Sequence, residues 1–174
     1  MWNLSESELL LTISELSVAF AGFASLASIL GRRLSKDDPR VDAGRLLNML
    51  TVSLSLTVLA LVPFLPMLLE WSSQWVWGAS GTVGLTVMAL LGPSVLRRTS
   101  QMRQYPGFNP SASALNHALA IAAAIGFLCS TLGIPPANSF VAYFVSIVSL
   151  LTLCAILFFH VIASLLRSSA PDAE

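Results

Sequence analysis

Charge is what this sequence has least of. Only 10% of its 174 residues are Asp, Glu, Lys or Arg, against about 25% in ordinary soluble domains. So few charges cannot cover a water-facing surface, which excludes a soluble globular domain. Two cysteines and no CxxC exclude a disulfide scaffold and a cysteine zinc cluster. Nine basic residues balance nine acidic ones, which removes any whole-chain electrostatic case for nucleic-acid binding. Long polar connections are missing too, so there is no room for a second domain or a soluble catalytic module. The five apolar stretches leave no place for two equal inverted halves, which argues against a repeat-built transporter.

What the sequence has is apolar length. Its residues are 55% hydrophobic and its mean hydropathy is +0.78. A bilayer core about 30 Å thick takes roughly 20 apolar residues as a helix. Five stretches satisfy this, at about 9–30, 46–69, 75–96, 112–133 and 138–166. The fold class expected is an all-α membrane protein, a bundle of five transmembrane helices forming a single transmembrane domain over 1–174. The first stretch is too long for a cleaved signal peptide and carries its basic flank on the wrong side, so it is expected to stay in the mature protein.

Basic residues give the orientation. Arg32, Arg33, Lys36, Arg40 and Arg45 fall in or beside loop 31–45; Arg97, Arg98 and Arg103 fall in loop 97–111; Arg167 is in the tail. All nine are at one end of the bundle, which the positive-inside rule makes cytoplasmic. The other end holds Glu6, Glu8 and Glu70, with Trp2, Trp71, Trp75 and Trp77 as an interfacial belt. The N-terminus is therefore expected outside and the C-terminus in the cytoplasm. Asp38-Pro39 and Asn109-Pro110 each read as an N-cap followed by an N1 proline. Residues 134–138, Ile-Pro-Pro-Ala-Asn, read as a tight outer hairpin. Pro63 and Pro66 should kink or loosen the second span, which membranes tolerate when neighbours satisfy the freed carbonyls.

Small residues form seams at helical spacing. Ser14, Ser17, Ala21, Ala24 and Ser28 follow one face of the first span, with Ile13, Leu16, Phe20, Phe23 and Leu30 opposite. The third span offers Gly78, Thr82, Leu85, Ala89 and Gly92. The fifth offers Ala142, Ser146, Ser149, Leu153, Ile156, His160 and Ala163. Small residues let helices approach closely while bulky ones face lipid. The seams serve either packing within the chain or association with a second chain.

Few residues could carry chemistry. Glu15 lies ~9 Å inside the first span and is placed at the border of its small-residue face. A carboxylate at that depth is either a proton or cation site or a neutral acid packed against Ser14 and Thr12. His117 and His160 are expected at one level on adjacent antiparallel helices. There they could hold a metal or haem or relay protons, or simply pack through hydrogen bonds. Cys129 and Cys154 differ in depth by ~18 Å, beyond disulfide reach, and read as small apolar residues.

The run from Glu15 to Ala24, followed by Gly31-Arg32-Arg33 and Arg45-Leu46-Leu47, resembles small bacterial polytopic inner-membrane proteins. The resemblance implies an inner-membrane location and no activity. The quinone-linked disulfide oxidases need paired cysteines that are absent here, and the small multidrug exporters have four spans. The expected role is non-enzymatic and without cofactor: a helix-packing subunit in the lipid bilayer, self-associated or joined to another membrane protein. The alternative is a small proton or cation channel or transporter using Glu15.

Overall fold

The computed structural model describes residues 4–34, 39–104, 108–134 and 139–168, and among these there are helices and no strand. The helices are α1 (Leu4–Leu34), α2 (Pro39–Leu61), α3 (Phe64–Leu68), α4 (Ser73–Met102), α5 (Pro110–Leu132) and α6 (Ser139–Ser168). Five segments are long and apolar enough to cross a bilayer: α1, α4, α5 and α6, and α2 together with α3. Each expected span falls on one of them.

Local chemistry sets the helix ends. α2 starts at Pro39, as expected, while Asp38 and the hairpin residues 135–138 lie outside the described residues. Asn109 caps α5, its Oδ1 accepting the N–H of Ser111 at 3.1 Å and of Ala112 at 3.3 Å; Pro110 at N1 needs no partner for its nitrogen. α5 closes on Gly133, whose φ of +66° lets the N–H of Ile134 return to the carbonyl of Cys129 at 2.8 Å. Pro63 breaks the second span, so that α2 stops at Leu61 and α3 resumes at Phe64. α3 then ends in the same motif as α5. Here Glu70 takes the left-handed conformation, with φ 56°, while the Trp71 N–H bonds the Pro66 carbonyl at 3.1 Å.

α2 and α6 form the centre of the bundle. α1 lies on α2 and touches α6; on the other side α4 and α5 pair, α4 resting on α2 and α5 on α6. One core cluster, around Leu10, Leu56, Leu59, Trp77, Phe127 and Tyr143, fills the tryptophan end. A smaller one, around Ala24, Met49, Leu153, Cys154 and Leu157, lies toward the basic end. The outside is apolar as well: Leu90 is 72% and Phe159 69% exposed. An apolar surface this extensive suits lipid and not water.

Three buried hydroxyls are satisfied within their own helix. Ser17 Oγ donates to the Ile13 carbonyl at 2.7 Å, Ser146 Oγ to that of Ala142 at 3.0 Å and Ser149 Oγ to that of Val145 at 2.8 Å. These i−4 bonds let small polar residues sit in tight contacts without an unpaired group.

Two of the expected faces need correction. Ser14, Ser17, Ala21 and Ala24 are buried as expected, and Ser28 lies outside the residues with described side chains. Ile13, however, is also buried, and Phe20 and Phe23 pack on Phe158 with ring centroids 5.4 and 4.6 Å apart. Ile13 is four residues from Ser17 and so shares its face. α1 is gripped along a broad arc by α2 and α6. On α4, Thr82 and Ala89 are exposed, while the buried face runs through Trp77, Ser80, Gly81 and Gly84. Trp77 lies on that buried face. It is 1% exposed and packs on Phe140 and Tyr143 at 4.9 and 5.6 Å, so it belongs to the core and not to the interfacial belt. Trp71 and Trp75 are exposed; Trp2 lies outside the described residues.

Candidate functional site

The α4–α5 pair is tight at one end and open at the other. A Cβ on Gly81 would meet the Phe127 carbonyl at 2.8 Å and the Thr131 nitrogen at 2.9 Å, and one on Gly84 would meet the Phe127 ring at 2.6 Å. Ser130 Oγ ties α5 to the Trp77 carbonyl at 2.9 Å. Toward the basic end a Cβ on Gly92 would meet nothing within 4 Å, and Pro93 interrupts the ladder of α4 by removing the N–H that would reach Ala89. α5 scarcely meets α2. The space left between α2, α4, α5 and α6 is a cavity of about 670 Å³, within the roughly 300–1,000 Å³ of ligand sites.

Its lining changes character along its length. Leu59, Leu85, Met88, Ala124, Leu150 and Leu153 line the deep part. Arg45, Asn48, Thr99, Asn109, Ser113, Asn116, His117 and His160 line the part near the basic end. The exposed residues Leu91, Leu96 and Ile121 form part of the rim between α4 and α5. Along α2 the cavity reaches from Arg45 to Leu59, ~21 Å at the helical rise.

Unsatisfied polar atoms gather in this lining. Among the described residues, four buried side-chain oxygens lack a hydrogen-bond partner: Asn48 Oδ1, Ser80 Oγ, Ser113 Oγ and Asn116 Oδ1. All but that of Ser80 belong to residues lining the cavity. Such groups are few in native proteins and costly when left unmade, so their concentration at one cavity makes it the candidate site. Asn48 Nδ2 donates to Thr99 Oγ1 at 3.5 Å, and Arg98 Nη1 donates to Thr51 Oγ1 in the same wall at 3.4 Å. His117 Nδ1 lies 2.6 Å from the Ser113 carbonyl. A carbonyl only accepts, so Nδ1 carries the proton and Nε2 is left for another partner.

The structure brings His117 and His160 into one cavity wall. Glu15 is elsewhere. It is exposed on the outer side of α1, because at about 100° per residue it falls opposite the face carrying Leu10, Ser17 and Ala24, and it does not line the cavity. Ser146 and Ser149 are buried in the packing of α6. Both cysteines are free thiols, Cys154 lying 2.9 Å from Ser53 Oγ. Among the described residues no group of three or more His, Cys, Asp or Glu is placed to hold a metal ion.

Sequence reasoning missed Asn48, Thr99 and Ser113. A signal existed: Arg45, Asn48, Thr51 and Ser55 recur every three or four residues in the second span, the spacing of one polar helix face inside an apolar run.

Fold and cavity together define an all-helical protein with five helices fit to cross a membrane. No protein-family model, curated protein or solved structure matches the chain.

Proposed function

We propose that this is a non-enzymatic, multi-pass protein of a bacterial inner membrane, its N-terminus outside and its C-terminus in the cytoplasm, that works by holding a membrane-soluble amphiphile between its helices. The distribution of Lys and Arg supports the orientation. One observation carries the binding role: the cavity, apolar in its depth and lined near the basic end by polar groups of which three have unpartnered oxygens. Amides, hydroxyls, imidazoles and a guanidinium converging on an apolar slot are suited to grip a headgroup whose tail is buried. The small-residue face of α1 is covered by the chain's own helices, which supports a bundle complete as one chain, able to serve alone or beside another membrane protein.

The full chain in mild detergent, titrated with tritiated 1-oleoyl-lysophosphatidylglycerol, should saturate with a single ligand. Ala124→Trp, which fills the apolar depth, should abolish that binding while the melting temperature holds; Ala120→Phe repeats the test if the first variant is unstable. Glu15→Gln should bind as the native chain does. Binding that never saturates, or that is the same in the filled variants, sinks the reading.

A further inference from the structure

We infer that the cavity takes an anionic amphiphile whose headgroup also carries hydroxyls, drawn from the leaflet at the basic end. Its headgroup lies among Arg45, Asn48, Ser113 and Asn116, and one hydrocarbon chain runs toward Leu59 and Ala124. This rests on the binding role proposed above and adds the chemistry of the ligand.

Charge sets the sign. Among the described residues the lining contains Arg45 and two imidazoles and no carboxylate, and a second guanidinium, that of Arg98, reaches Thr51 in the wall. A cationic headgroup finds no countercharge among those residues, whereas a phosphate or carboxylate meets two guanidinium groups.

Hydrogen bonding adds the hydroxyls. Asn48 is 3% and Ser113 8% exposed, so both are buried. The amide nitrogen of Asn48 is committed to Thr99, which leaves its oxygen as an unpaired acceptor in need of a donor. Asn116 Oδ1 is a second unpaired oxygen, on an amide that can turn to present oxygen or nitrogen. A bare anion offers no donor to Asn48, while a headgroup with free hydroxyls serves that acceptor and still presents its anion to the guanidinium.

Length selects the leaflet and the single chain. Half of a core about 30 Å thick is ~15 Å, the depth filled by one leaflet's chains. A slot of ~21 Å that starts at Arg45 accommodates that depth and a headgroup. The ligand is therefore a single-chain anionic lipid, or one chain of a two-chain lipid whose other chain stays in the bilayer beyond the rim of α4 and α5.

The test uses the full chain, delipidated in mild detergent, with native mass spectrometry counting bound lipid. Lysophosphatidylglycerol, anionic and with two hydroxyls on its headgroup, should bind at least about tenfold more tightly than lysophosphatidylcholine of the same chain, whose headgroup has none. Arg45→Gln and Asn48→Leu should each remove most of that preference with the melting temperature held, and Ser113→Ala serves if either fails to fold. A diacyl phosphatidylglycerol that competes equally identifies the bilayer lipid as the source; one that competes about tenfold more weakly identifies a single-chain lipid. Equal affinity for the two lysolipids, or variants that keep the preference, overturns the headgroup assignment, as expected if water alone serves these groups. Loss of both lysolipids in Ala124→Trp would then leave the cavity as a binding site, so the two readings fail separately.

Discussion

Tyr143 donates its hydroxyl to the carbonyl of Leu59 at 2.5 Å, the carbonyl that residue 63 of a continuous helix would serve and that Pro63 cannot. A proline inside a span frees one acceptor four residues earlier, and in an apolar medium that acceptor needs a new partner. α6 supplies it. The break between α2 and α3 and the burial of Tyr143 are thus one feature seen from two helices.

Tyr143→Phe should cost about 1–2 kcal/mol, since it keeps the ring and strands the carbonyl. In a Pro63→Ala background residue 63 regains an N–H, and the same substitution should cost clearly less. A double-mutant cycle from unfolding in detergent measures the difference. Equal costs in both backgrounds would mean that the hydroxyl does not replace the missing helical bond.

Gly81→Ala should destabilise by about 1–3 kcal/mol, because its Cβ meets backbone atoms of Phe127 and Thr131 that have nowhere to go. Gly92→Ala should be neutral or slightly stabilising. Its Cβ meets open space, and alanine favours helix over glycine by up to about 1 kcal/mol. Thermal melts of the two variants decide it; similar losses at both sites would place α4 and α5 in contact along their whole length, with no slot between them.

Orientation is tested by single cysteines in a background lacking Cys129 and Cys154. Ser73 and Ser100 are both exposed, near opposite ends of α4. In intact cells Ser73→Cys should react with an impermeant maleimide and Ser100→Cys should not, until the membrane is opened. The reverse pattern would invert the bundle.

The spans and their ends could be read from the sequence because a bilayer demands about 20 apolar residues and because Pro39 and the Asn109-Pro110 pair announce helix starts. Faces were readable only in part. Ser17 and Ala21 stood out on α1 by their size, but hydropathy does not separate lipid-facing from buried positions when both are apolar. Trp77 therefore looked interfacial, and the small residues from Gly78 to Gly92 suggested an α4 face that is in part exposed. The cavity was out of reach for a different reason. It is a distance between helices, set by the close approach at Gly81 and Gly84, and Asn48 and Ser113 gain their significance only once the space between them exists. Glu15 drew attention as an intramembrane carboxylate and was placed at the border of the small-residue face, although helical spacing from Ser17 and Ala24 already sets it on the opposite side of α1.

The most direct measurement of the central claim is an experimental structure of the full chain in a nanodisc containing phosphatidylglycerol. The account predicts elongated non-protein density between α4 and α5, its broad end beside Arg45, Asn48 and Asn116 and its narrow end near Leu59 and Ala124. Helices α4 and α5 closed against each other from Gly81 to Gly92, with Asn48 and Ser113 satisfied by neighbouring side chains, would contradict it.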